Sequence, residues 1–193
     1  MTTTKCEECK ETVQSYDIIS YGSIEGGYRE ICTRCFNADV AERNGLVNFE
    51  NFRLEPIGIN DCDGEAHQFH FRTRLLGSMV VMEAFELEDG HPCGYEFQVI
   101  GEPDDDLFML LKQVIERIRR ALSVKHIKQD EHGPHIANMH VRGRIEWDEN
   151  EDGRVPIVIV DGRELTWERF GQMMAEFEGW QFKMEILDRS DEI

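Results

Sequence analysis

The chain is short of positive charge. Its 193 residues hold 21 lysines and arginines against 39 aspartates and glutamates, a net charge of −18. Such a polyanion is repelled by nucleic-acid backbones and anionic membrane surfaces, which disfavours broad binding to either. Long apolar runs are missing: no stretch approaches the roughly 20 residues that cross a bilayer. The first residues, Met1-Thr-Thr-Thr-Lys-Cys, lack the basic and apolar pattern of a secretory signal. No GxxxxGK[ST] phosphate loop occurs, no GxGxxG follows a strand, and Gly77-Ser78-Met79 lacks the GxSxG frame. These absences remove P-loop, dinucleotide-binding and serine-elbow chemistry. Hydrophobic content of 40% and charged content of 31% describe a globular chain. Its length suits one core-bearing domain plus a small module.

Cysteine is placed rather than abundant. Cys6-Glu-Glu-Cys9 and Cys32-Thr-Arg-Cys35 are two CxxC pairs separated by 22 residues. Each pair lets two sulfurs converge on an ion from a tight turn, and two pairs complete a tetrahedron. The spacing predicts one structural zinc held by Cys6, Cys9, Cys32 and Cys35. Two disulfides or a redox CxxC are the competing readings. A redox motif needs one pair opening a helix in a βαβ unit, which two matched pairs do not fit. Zinc with four thiolates carries a charge of about −2, and Lys5, Lys10, Arg29 and Arg34 lie beside the ligands to offset it. Residues 13–20 and 28–31 read as strands around a glycine-rich turn, and residues 36–45 as a short helix ending at Asn44-Gly45.

The order of knuckle, hairpin and second knuckle opening a helix resembles a treble-clef zinc finger. Tyr28-Arg-Glu-Ile-Cys-Thr-Arg-Cys-Phe-Asn is similar to the equivalent stretch in the zinc-binding domain of ClpX-type unfoldases. That resemblance is confined to residues 1–45, and the spacer here is longer. It implies a zinc-stabilised recognition or dimerisation module. The run from Val160 through Thr166-Trp167 to Glu178-Gly-Trp-Gln-Phe-Lys183 is similar to a segment of uncharacterised bacterial proteins, which implies no function.

Downstream, residues 52–59, 79–87 and 94–101 read as strands, and 67–74 alternates in the period of two expected for a half-buried strand. Phe69 and Phe71 share one face; His70, Arg72 and Arg74 share the other. Asp104-Asp-Asp106 caps a helix whose Leu107, Leu110, Leu111, Val114, Ile115, Ile118 and Leu122 form an apolar stripe. Arg117, Arg119, Arg120, Lys125 and Lys128 complement its C-terminal dipole or form a patch for an acidic partner. Residues 128–138 read as an exposed loop. Strands over 139–147 and 155–160 flank an acidic turn at 148–153. Thr166 caps a helix over 167–178, and residues 180–187 alternate as a closing strand.

The expected fold is α+β: a treble-clef zinc module (1–46), an antiparallel β-meander with a packed helix (47–130), and a C-terminal ββαβ unit (131–193). Asn60, Asp61, Asp63 and Gly64 read as a turn, because the register of a calcium loop fails. Cys62, His67, His91 and Cys93 sit near turns of the meander and form a candidate second metal site if those turns meet. His126, His132, His135 and His140 read as a pH-sensitive exposed loop. No residues form a catalytic constellation. The sequence is read as a cytoplasmic, non-enzymatic adaptor or regulatory protein that binds another protein. Ile24, Tyr28, Phe36 and Val40 are candidates to dock on a partner or on the body, and sheet edges and apolar helix faces are compatible with a homodimer. The alternative is a metal-dependent enzyme or sensor at Cys62, His67, His91 and Cys93.

Overall fold

The structure, a computed structural model, describes residues 2–47, 49, 51–131, 133–148 and 153–191. Strand β1 (Thr3–Lys5) pairs with β2 (Thr12–Gln14), and β3 (Ile18–Ser23) pairs with β4 (Gly27–Cys32), all antiparallel. Helix α1 (Thr33–Arg43) follows β4 directly.

The expected strand segments form β5 (Ile57–Asn60), β6 (Ala66–Leu76), β7 (Met79–Glu88) and β8 (His91–Gly101), a four-stranded antiparallel meander. Asp89 and Gly90 both have positive φ (51° and 87°), the conformation of a two-residue hairpin turn. Helix α2 (Leu107–Leu122) then crosses one face of the sheet. Asp106 caps it by accepting from the Phe108 N–H at 2.9 Å. Leu110, Val114, Ile118 and Leu122, one turn apart, bury against Phe69, Leu75, Val80, Met82, Ala84 and Val99. Burying each such side chain contributes about 1.5–3 kcal/mol.

The other face is not a solvent face, although its histidine and arginines predict one. His70 and Phe85 lie under the Tyr16 ring, with centroids 5.5 Å apart in each pair. Arg72 and Arg74 bond Glu83, and Arg72 also donates to the Tyr16 carbonyl. The N-terminal module therefore covers this face.

That module also docks through α1. Val40 and Ala41 join the main core, with Phe36 packed against it. Asn37, fully buried, accepts from the Leu75 N–H at 2.9 Å and donates to the Thr73 carbonyl at 2.9 Å and to Asn51 at 2.7 Å. Strand β5 pairs with β6 only from Ala66 to Phe69. The Asn37 amide thus occupies part of the β6 edge that β5 leaves open, where unpaired backbone groups are costly.

The C-terminal part departs from expectation in three places. Residues 128–138 do not form a loop: β9 (Ile127–Asp130) and β10 (Gly133–Ile136) make a hairpin. Strand β11 (Gly143–Trp147) pairs with β12 (Pro156–Val160), and the Asp161-Gly162 turn leads into a third strand, β13 (Arg163–Thr166), before the helix. The Thr166 cap holds, its hydroxyl accepting from Arg169 N at 3.1 Å, and α3 (Trp167–Met174) buries Met173. Residues 180–187 hold no strand, since a period-two segment becomes one only beside a partner edge, and none is supplied. The acidic turn expected at 148–153 lies largely outside the described residues. The fold class is α+β with antiparallel sheets.

Candidate metal centre

The first knuckle is closed by its own backbone. Lys10 N bonds the Cys6 carbonyl at 3.1 Å, Cys6 N bonds the Glu11 carbonyl at 2.9 Å, and Lys10 takes a φ of 63° to make the turn. The second knuckle is the start of α1: Cys32 stands at the N-cap and Cys35 in the first turn. A helix N-terminus favours a thiolate. The β3–β4 hairpin sets the two knuckles face to face, and Glu7 N bonds the Glu30 carbonyl at 2.8 Å.

All four sulfurs lie within 4.8 Å of one another. Cys6 to Cys35 and Cys9 to Cys32 are each 3.9 Å. A zinc–sulfur bond of about 2.3 Å places tetrahedral sulfurs about 3.8 Å apart. The donor set therefore fits a thiophilic divalent ion such as zinc, and all four cysteines are free rather than disulfide-bonded. Burial works to raise the Cys6 thiol, but backbone N–H groups of Cys32, Cys9 and Glu8 outweigh it and hold the thiol at about 6. Cys32 is pushed up by burial, and Cys35 by burial and then by the three neighbouring sulfurs. A cluster that resists carrying several thiolates alone gains from a divalent cation. Arg29 to Glu8 at 2.6 Å and Arg34 to Glu11 at 2.9 Å tie the rim. Four protein donors leave no open coordination position, so such a centre braces the fold and activates no water.

A second group lies at the turn that joins β5 to β6. Asp61, Glu65 and His67 offer ligand atoms within 4.8 Å of one another. The Asp61 carboxylate is buried and accepts from Asp63 N and Glu65 N at 2.9 and 2.8 Å, forming the turn expected at Asn60–Gly64. Lys125 places its ammonium 2.6 Å from Asp61 Oδ2 and, with these N–H groups and His67, holds that carboxyl far below its usual range. His67 faces Asp61 at 3.4 Å and Glu86 at 2.8 Å. Glu86 reaches inward because β7 and β8 shift register between Phe85 and Glu86, and its second oxygen accepts from Tyr95 N at 2.9 Å. Lys125 supplies a resident cation, which makes the group a satisfied ionic brace.

The four residues expected to form a second metal site are not brought together. Among the described residues, His67 groups with Asp61 and Glu65, while Cys62 and His91 are exposed and Cys93 faces Glu86 across the sheet. The turns at 61–65 and 89–90 do lie at one end of the meander, yet His67 is met there by Glu86 and Asp61, and no group of ligand atoms among the described residues joins it to Cys62, His91 or Cys93. The His126 and His140 rings lie tilted at 52° with centroids 5.3 Å apart, and His135 faces Asp130; His132 lies outside the described residues. Part of the basic cluster is absorbed by the fold: Lys125 holds Asp61, and Arg117 donates to the Gln98 carbonyl. Asn37, Glu86 and Lys125 were not legible as linked residues, because each meets partners far away in sequence. Asp61 was legible as a turn residue, by its Asn-Asp-Cys-Asp-Gly context.

Three families match successive parts of the chain, each described only as a domain of unknown function: DUF7685 over residues 5–47, DUF7686 over 50–123 and DUF7713 over 126–191. No curated protein and no solved structure matches the chain. The protein is thus similar to three domain families whose roles are open, with the four-cysteine cluster inside the first.

Proposed function

We propose that this is a zinc-braced, non-enzymatic protein that acts by binding another protein, as an adaptor or regulator. The observation that carries the reading is the closed four-sulfur cluster of Cys6, Cys9, Cys32 and Cys35 at zinc spacing. Its knuckle, hairpin and helix follow the order of a treble clef. The zinc is structural, and its module stiffens a surface rather than a reaction site. Phe36 and Val40 are taken up by the body, whereas Ile24, at the tip of the β3–β4 hairpin, and Tyr28 remain exposed for a partner. Thiolate ligands with free Cys62 and Cys93 suit a reducing compartment such as the cytoplasm. No helix among the described residues is long and apolar enough to cross a membrane.

The test combines metal content with capture. The parent retains one zinc per chain; Cys32→Ser loses it. Ile24→Asp keeps zinc and fold but loses a stoichiometric protein partner held by the parent. A folded, zinc-free parent contradicts the reading.

A further inference from the structure

Two histidines are buried among the described residues, and their surroundings are opposite. His67 lies between the Asp61 and Glu86 carboxylates, which can receive a positive ring. His70 is packed against other rings. Tyr16 meets it edge-on with centroids 5.5 Å apart, and meets Phe85, the cross-strand neighbour of His70, at the same separation. His70 Nδ1 is buried and has no hydrogen-bond partner among the described residues. Burial disfavours the charged ring and holds its pKa below the ordinary imidazole value.

The charges on this face are committed elsewhere. On β6 itself Arg72 stands two residues along, a cation. Strand β7 brings Glu83, which is held by Arg72 and Arg74. Strand β8 brings Glu96 in the row beyond Phe85, and it is held by Arg144 and Arg189. The module brings Asp17, whose carboxyl burial pushes up against the pull of Thr33, Arg53, Arg72 and Arg34. Arg53 and Glu55 bear on Tyr16 with opposite sign. Tyr16 itself belongs to a 3-10 turn over Ser15–Asp17, between β2 and β3. The turn is bound to the sheet by its ring and by Arg72, which donates to the Tyr16 carbonyl. The Ser15 hydroxyl is buried with no partner among the described residues, a second cost of keeping the turn down.

We propose that His70 is a pH latch: protonation of its ring in mildly acid solution lifts the Ser15–Asp17 turn off the sheet and uncovers the His70 and Phe85 face, while α1 stays anchored through Asn37. The anchor is separate, since Asn37 bonds β6 at Thr73 and Leu75. The docked form takes up the proton less readily than the open form, whose imidazole has the ordinary value of about 6.5. Docking is therefore at full strength above that value and weakens as pH falls below it, by up to about 10-fold per pH unit. Asp17 works in the other sense. Its docked carboxyl, pushed up by burial, keeps a proton more readily, so acid acting there tightens the turn. The inference stands on His70, Tyr16 and Phe85 and does not depend on the zinc centre.

The experiment is a proton NMR titration of the full chain from about pH 7.5 to about pH 5, either side of the ordinary imidazole value, with zinc content read at both ends. In the parent, the through-space contact between the Tyr16 and Phe85 rings is lost in step with protonation of His70. The contact between Phe69 and Phe97 on the α2 face, 6.0 Å between centroids, is kept. His70→Phe and His70→Leu, two neutral replacements of different size, keep the Tyr16–Phe85 contact across the whole range. Tyr16→Ala moves the His70 midpoint upward, toward about 6.5. A Tyr16–Phe85 contact that persists once His70 is protonated overturns the proposal, as does its loss in a folded His70 variant. So does a His70 that stays neutral throughout, or a loss shared by Phe69 and Phe97, which is unfolding of the whole body. A chain without zinc that still shows the step touches only the zinc reading.

Discussion

At the level of single side chains, the fold is held by charged groups that are paired away from water. Glu83 is buried between Arg72 and Arg74. Burial acts to raise its carboxyl, and the two guanidiniums outweigh it, so Glu83 titrates below the usual carboxylate range. A carboxyl depressed in the folded state contributes stability above its unfolded value, about 4.3, and that contribution is lost as pH falls through the folded value. The urea midpoint of the parent therefore drops on acidification below about pH 4.5. Glu83→Gln is less stable at pH 7 by about 1–3 kcal/mol and shows a flatter acid slope; an unchanged slope contradicts the pairing. Lys125 is the second case. Lys125→Met strands the Asp61 carboxylate and lowers the melting temperature, and adding Asp61→Asn recovers part of the loss, a coupling that a double-mutant cycle reads. Neither partnership was legible in the sequence. Glu83 is one charge within a mostly apolar strand, and Lys125 stands at the basic end of a helix, and neither position names its partner. Their partners come from neighbouring strands or from more than 60 residues away.

At the level of elements, local chemistry carried what it could. The Asp106 and Thr166 caps, the stripe of α2 and the strand segments of β6 to β8 are encoded within a few residues of each other, and the structure has them. What alternation does not encode is which face meets solvent. His70 and Arg72 mark a polar face, yet Tyr16 and the module that carries it arrive from 54 residues earlier to cover it. The alternating pattern of 180–187 likewise specifies a strand without specifying its neighbour. Helix α1 shows how a whole element is tied by one residue. Asn37 satisfies Thr73 O and Leu75 N at the open part of the β6 edge. Asn37→Ala leaves both groups without that partner and costs about 2–4 kcal/mol, read by chemical denaturation. The same variant raises hydrogen exchange at Leu75 above that at Val81, which pairs inside the sheet. A loss below about 0.5 kcal/mol contradicts the edge-capping role.

Across the whole molecule, the four-cysteine module and the sheet form one packed body. The module contributes Val40 and Ala41 to the main core, covers one sheet face with Tyr16 and caps an edge with Asn37. The cysteine spacing made the four-sulfur cluster legible, because four thiols and two turns are a local pattern. The docking was not legible, since Phe36 and Val40 serve a partner surface or a core equally well until the sheet stands beside them. This integration gives the metal a consequence beyond the first 45 residues. Removing it loosens α1, and with it the sheet face and edge that α1 and Tyr16 protect. The most direct measurement is elemental analysis of chain purified without added metal, paired with thermal unfolding before and after a strong chelator. The account predicts one zinc per chain, lost in Cys32→Ser, with melting of the entire body shifted downward when zinc is removed. A chain that contains no metal, or one that loses zinc with its melting unchanged, contradicts it.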